Sequence, residues 1–533
     1  MKTKYLFISL MAIGAGMFSS CENKLDIPQK GVVSVEFFYQ TDDDAMEAIT
    51  AVYNNWRSVF TNGFQFKNLL ADDLHKAGAF RQDNEDFQNV WELTISPSNC
   101  SHLQTYFSSL YQTIYKANLI TDRFTPDSDI KSRVLAEAKF FRAYCYFELV
   151  NLWGRVPLVT KELSPSEYKQ PNSEVDLIWA QIELDMTEAI QSGKLPSKSN
   201  VNDNETSLRL TKEAAYAYLG KIYLYQKKYS EAKAAFANVV SSGKYGLIDD
   251  FGAIYHMEAD NCKEYLFEAN RHFDPNNLFA QGGWLGILCN WHFGAYLVVN
   301  DIPLATSFYD FKMDQGYGFF NPSKTLRDAF IAEEGENGYR LNLSMKTWDQ
   351  MNAMGVSVNS NAAFFGNEGI WRWKFLPKQS EEHFIQWGGN YSNTPALRYA
   401  DVLLMMAEVC VQTGDPTADT YFNEVRTRAK MSNKTGVTLD DIKRERRLEL
   451  AMEAVRFQDL VRWGDAATVL ADKGKKLPTF RITTENNVPV SWVVEYVDNE
   501  KPDAGFTVGK DELLPFPQTE MNVNNLIEQN PNY

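Results

Sequence analysis

The stretch EAAYAYLGKIYLYQKKYSEAKAAFANVV, residues 213–240, constrains the fold more than any other part of this chain. Two helical patterns flank a break at QKKYS. Tyr216, Leu219, Gly220 and Tyr223 on the first stand at tetratricopeptide spacing from Ala232 and Phe236 on the second. Small Gly220 and Ala232 let two helices approach while aromatic side chains fill the space between them. The match is partial, since Val239 stands where the repeat carries a small residue and Lys244 where it carries proline. One such pair cannot bury its apolar face alone, so the segment predicts stacked helix pairs. AEAKFFRAYCYFELVNLWG (136–154) leads into a turn and has the same character. ALRYADVLLMMAEVCVQTGDP (396–416) places Leu397, Ala400, Leu404, Ala407 and Val411 on one helical stripe, with Leu403, Met406 and Cys410 on a second. That helix is expected to be covered on both sides.

Between about 245 and 395 the periodicity fails. FAQGGWLGILCNWHFGAY (279–296) and NAAFFGNEGIWRWKF (361–375) are rich in Gly, Asn, Trp and Phe, and the region is too long for one passive loop. Aromatics form 14% of the chain, with 12 Trp and 26 Tyr, so some are expected to face a ligand. Irregular segments resting on a rigid scaffold are where binding sites usually lie.

The N-terminus carries a different signal. Met1, Lys2 and Lys4 precede YLFISLMAIGAGMF, an apolar run of about fourteen residues, too short to span a bilayer and suited to a secretory signal. Ser19 and Ser20 then place small residues before Cys21. A cysteine at the cut site is what a bacterial lipoprotein signal needs, because its thiol takes the diacylglycerol; an ordinary signal peptide with an incidental Cys21 is the alternative. The expected organisation is a signal peptide over 1–20, a polar tether over 21–35, an N-terminal half with helix pairs over 36–245, and a C-terminal half over 246–533 that includes the loop-rich centre. No later apolar run approaches membrane-spanning length.

A formal charge of −16 argues against nucleic acid, whose phosphates need a basic footprint. After Cys21 the cysteines are Cys100, Cys145, Cys262, Cys289 and Cys410, an odd and widely spaced set that reads as unpaired core thiols. The six histidines lack metal-ligand spacing, no catalytic signature or cofactor loop is complete, and GYGFFN (316–321) reads as a turn. No cofactor or metal is expected. ERRLELAMEAVRFQDLVRWG (445–464) predicts one helix with Arg446, Glu449, Glu453 and Arg456 on a single face. Glu449 and Glu453 suit the acid and nucleophile of a retaining glycosidase. An arginine one turn from each favours ion pairs instead, since a general acid needs a raised pKa.

Five blocks in order, LDIPQKGVVSVEFFYQTDDDAMEAITAVYNNW, AEAKFFRAYCYFELVNLWGRVPLVT, ALRYADVLLMMAEVC, ERRLELAMEAVRFQDLVRWG and LLPFPQTEMNVNNLIEQNPNY, together resemble the SusD/RagB family from Cys21 to Tyr533. The resemblance implies a mostly α-helical, SusD-like single large domain with tetratricopeptide-like helix pairs and a loop-rich ligand-binding region. It implies an outer-membrane lipoprotein at the cell surface, anchored through Cys21, which captures a glycan and delivers it to a SusC-like TonB-dependent transporter. Such a protein binds and does not catalyse. Peptide capture, as in the RagB branch, is the alternative within the family; a surface glycoside hydrolase or a helical-repeat adaptor are alternatives outside it. Similar starch-binding members hold sugar between aromatic side chains, with polar contacts from an early loop and from the central region. Here those places are ADDLHKAGAFRQDNEDFQNVW (71–91) and residues 284–320. Sugars present apolar faces and hydroxyl edges, so aromatic platforms beside paired hydrogen-bonding groups suit them. Asp73, Arg81, Asn84 and Trp91 supply that mixture in the first place; Trp284, Asn290, Trp291 and Tyr296 supply it in the second. A shallow, aromatic-lined site is expected.

Overall fold

Three aspartates, Asp42 to Asp44, occupy the first turn of the first long helix, where Thr41 and Asp44 close a capping box. Negative charge there complements the positive end of the helix dipole. The computed structural model describes residues 38–78, 80–271, 297–299, 318–376 and 391–533. Cys21, Trp284, Cys289, Asn290, Trp291 and Tyr296 lie outside them.

The first half is helical: α1 (Asp42–Leu70), α2 (Glu85–Glu92), α3 (Ser101–Arg123), α4 (Asp129–Trp153), α5 (Val175–Gln191), α6 (Lys212–Tyr225) and α7 (Tyr229–Val240). From α3 onward each helix packs on the next, with long connections over 154–174 and 192–211 on either side of α5, and α3 also lies against α1. Buried polar ties fix the stack. Lys67 of α1 and Tyr106 of α3 both reach Glu148 of α4 at 2.9 Å. Arg142 of α4 makes a two-pronged pair with Asp185 of α5, at 2.7 and 2.6 Å. In the α6–α7 hairpin Gly220 lies against the ring of Phe236, so close that a Cβ there would stand 2.5 Å from it. The repeat-like spacing is therefore a true close approach.

The second half contains α8 (Lys324–Glu334), α9 (Tyr339–Ser344), α10 (Trp348–Ala353), α11 (Tyr399–Thr413), α12 (Ala418–Arg428), α13 (Leu439–Glu449) and α14 (Arg456–Trp463). Helix α11 packs on α7, α12 and α13 and is buried from Tyr399 to Cys410, as its two apolar stripes require. Leu397 is not part of it; that residue belongs to strand Thr394–Arg398, paired antiparallel with Tyr265–Ala269. One apolar core runs from Ala45 to Ile527, so the two halves share an interior. A second core gathers Trp348, Phe364, Trp371, Trp373 and Phe480. It includes residues of the sheet formed by Ala362–Phe365, Lys476–Glu485 and Val488–Asp498. Thus Trp371 and Trp373, from an aromatic-rich stretch expected to border a ligand, are packing residues. Cys100, Cys145 and Cys410 are buried free thiols, and Cys262 is a half-buried one. No described helix is long and apolar enough to cross a membrane.

The charged segment departs from its expected form. Helix α13 ends at Glu449 and α14 starts at Arg456; between them Met452 and Ala454 adopt positive φ angles of 67° and 63°. Asn68 of α1 clamps this break, donating to the Met452 carbonyl and accepting from the Ala454 N–H, both at 3.1 Å. The four residues do not share a face, and the neighbouring arginines are not the glutamates' partners. Arg446 pairs with Asp401 and Asp459, and Arg456 pairs with Asp72. Glu449 instead meets Arg340 and Arg398, each at 3.1 Å, and Arg428; Glu453 meets Lys374 at 2.6 Å and Arg398 at 2.7 Å. Glu264, Glu334 and Glu445 complete the carboxylates and Arg426 the cations of a buried, charge-balanced network.

Candidate functional site

The first segment singled out for ligand contact meets the last residues of the second, Phe319 and Phe320. Strand Leu74–Ala77 pairs antiparallel with Phe319–Pro322, so Phe319 to Asn321 of GYGFFN form a strand where a turn is expected. Around this pairing the 71–91 segment is more buried than its composition suggests. Asp73 is 4% exposed and accepts from Arg447 at 2.8 Å, beside Asp72, which takes both Arg447 and Arg456. Burial pushes its carboxyl up. Trp91 is 5% exposed, and its indole N–H donates to the Leu74 carbonyl at 2.9 Å. These two positions correct the expectation of exposed sugar contacts. The cause is local: Phe87, Val90 and Trp91 fall on one stripe of α2 and turn into the core. Asn84 caps α2 in the left-handed region, at φ 55°, accepting from the Phe87 N–H at 3.0 Å. Arg81 and Trp91 come together at a cavity of about 20 Å³, which has room for water and not for a sugar ring. Phe80, next to Arg81, is 54% exposed.

A larger opening lies along α1 and α3. It has a volume of about 610 Å³ and is lined by Arg57, Ser58, Thr61 and Asn62 of α1, by Gln104, Thr105, Ser108 and Gln112 of α3, and by Arg271. A second pocket of about 330 Å³ adjoins it across Arg57, with Tyr53, Asn54, Arg209 and Asn270 in its wall. The wall of the larger opening is amide, hydroxyl and guanidinium; the smaller pocket adds apolar Met46 and Leu208 and the carboxyl of Glu268, which burial pushes up to about 8. Burial pulls the Arg57 guanidinium below its usual range, and burial together with Arg57 brings Arg271 down to about 10, against the opposing charge of Asp260. Amides, hydroxyls and guanidinium groups hydrogen-bond vicinal hydroxyls in pairs. The stripe is visible in sequence at residues 54, 55, 57, 58, 61 and 62, and again at 104, 105, 108 and 112. Apart from Arg57 these are uncharged polar residues at helical spacing, unlike the Lys and Glu that usually clothe a solvated helix, and that was the available signal.

Glu449 is fully buried, and burial raising its carboxyl is outweighed by Arg428, Arg398 and Arg340, which hold it at about 2. Glu453 is likewise lowered, by Arg398 and Lys374 against burial. Neither carboxyl is a proton donor at neutral pH. Among the described residues no cluster of His, Cys, Asp and Glu is placed to hold a metal ion.

Comparison with known proteins agrees with this architecture. A laminarin-binding SusD-like protein of known structure superposes with a TM-score of 0.75 at 28% identity, over 93% of this chain and all of that one, 100%. Surface glycan-binding protein A from Bacteroides thetaiotaomicron, in complex with laminarihexaose, shares the fold with a TM-score of 0.73 at 23% identity, over 92% of this chain and 100% of that one. A SusD-like protein from Bacteroides ovatus is 23% identical over 100% of this chain and 98% of its own length. Residues 35–224 match a family described as starch-binding and associating with the outer membrane, and residues 252–533 match the SusD family. With residues 252–533, more than half of its length, matched by that family, this chain belongs to the SusD family.

Proposed function

We propose that this protein captures an oligo- or polysaccharide at the cell surface and hands it to a SusC-like TonB-dependent transporter, held to the outer membrane by lipid on Cys21. The observation that carries the reading is the likeness to a laminarin-binding protein across nearly the whole chain. The α1–α3 cleft supplies hydroxyl-recognising groups, and Arg271 at its edge directly precedes the segment bearing Trp284, Asn290, Trp291 and Tyr296, the proposed aromatic platforms. Arg81 and Asn84 are retained as polar contacts from the early loop; Asp73 and Trp91 act behind the surface.

Titration calorimetry against laminarin, starch and a panel of other polysaccharides tests this. Asn62→Ala and Gln112→Ala are each expected to weaken a binding glycan by a factor of about 2 to 10, the worth of one hydrogen bond. Wild-type protein that binds no glycan and carries oligopeptides through purification would establish peptide capture instead.

A further inference from the structure

Helix α3 has a second face beside the polar one. Phe107, Ile114 and Tyr115 look into a separate pocket of about 280 Å³, closed on its other sides by the 157–170 segment and by the C-terminal residues Glu520 to Ile527. Tyr115 and Tyr168 stand in its wall and are 54% and 64% exposed. Two tyrosines so exposed in one concavity make a contiguous patch of the kind that marks a ligand groove. Tyrosine offers a broad, rigid, amphipathic surface with little rotamer freedom to lose. The polar wall includes Gln170 and Asn524.

Glu520 joins this pocket to the cleft. It lines the pocket, and its carboxylate accepts from Gln104 at 2.7 Å and from Ser108 at 3.2 Å, two residues of the cleft wall. The two openings are thus separated by a single helix, bridged by one hydrogen-bonded ridge.

We propose that the Tyr115–Tyr168 pocket is a distal subsite for a pyranose ring of the same glycan chain that lies in the α1–α3 cleft. The chain crosses α3 at the Glu520 ridge, and a sugar ring settles with its apolar face on tyrosine and its hydroxyls toward Gln170 and Asn524. This assignment rests on the glycan-binding reading above. Linked sites give long ligands an advantage over short ones that neither site gives alone.

The test is calorimetry with laminari-oligosaccharides of graded length and with the polymer, comparing wild type with the Tyr115→Ala/Tyr168→Ala double variant and the Tyr115→Phe/Tyr168→Phe pair. The alanine pair is expected to bind the shortest oligosaccharides like wild type and to lose about tenfold on the longest, within the gain linked sites provide. The phenylalanine pair, which keeps the ring faces, is expected to retain most of that affinity. Fluorine resonances of 3-fluorotyrosine at both positions should move with the hexasaccharide. If wild type binds no member of this series or of a wider polysaccharide panel, the glycan reading fails and the subsite with it. Should wild type bind while the alanine pair keeps its full length dependence, the subsite alone is overturned. Fluorine shifts caused by an apolar peptide and not by the hexasaccharide overturn it as well.

Discussion

The network around Glu449 and the cleft between α1 and α3 are both crowded with polar side chains, and they behave in opposite ways. In the network every carboxylate is matched by guanidinium or ammonium and the groups are sealed from the surface; Arg340, Arg398 and Glu449 side chains are at most 1% exposed. In the cleft the side chains are neutral amides and hydroxyls around arginines, and the space is open. A sealed, matched set of charges directs its ion pairs at itself and fixes geometry. An open set of neutral groups can exchange water for ligand hydroxyls at small cost to the fold. The difference teaches that the chemistry of a residue type does not announce a site until its burial is known.

Breaking the sealed side should have the largest effect. Glu449→Ala leaves several buried cations without their shared anion and is expected to cost about 3–5 kcal/mol in urea unfolding. The same carboxylate sets a pH dependence. Its folded value, about 2, lies below the ordinary 4.5, so its stabilisation is complete above about 4.5 and disappears as pH falls toward 2. Unfolding midpoints measured across that window should fall more steeply in wild type than in the Glu449→Gln variant. Gly220→Leu, which forces a side chain into Phe236, should cost about 1–3 kcal/mol by the same measurement. At the open side Asn62→Ala and Gln112→Ala should change stability by less than about 0.5 kcal/mol while reducing glycan affinity. A large loss of stability at either position would erase the contrast between the two regions.

The parts of the molecule legible in sequence are those set by local spacing. Gly220 and Phe236 are sixteen residues apart in one hairpin, and the double stripe of α11 reports its burial directly. What sequence hid was decided at long range. Nothing between Leu450 and Val455 is proline or glycine, so 445–464 reads as one helix; the break is imposed by Asn68, which arrives from the other end of the chain. Trp91 is an intermediate case. Its burial was readable from Phe87 and Val90 once the short helix behind Asn84 was recognised, but a tryptophan among polar neighbours invites the opposite conclusion.

The Asn68 clamp also bears on the order in which this chain can mature. The end of α1 is completed by Met452 and Ala454, made 384 and 386 residues later, and the Trp153 indole is satisfied only by the Pro515 carbonyl. Contacts of such sequence separation form late, because loop closure must precede them. The emerging N-terminal helices therefore lack partners for their last buried polar groups until synthesis is nearly finished. The last bonds of α1 and α4 are thus supplied by the C-terminal residues, and the N-terminal helices reach their final form only when those residues are present.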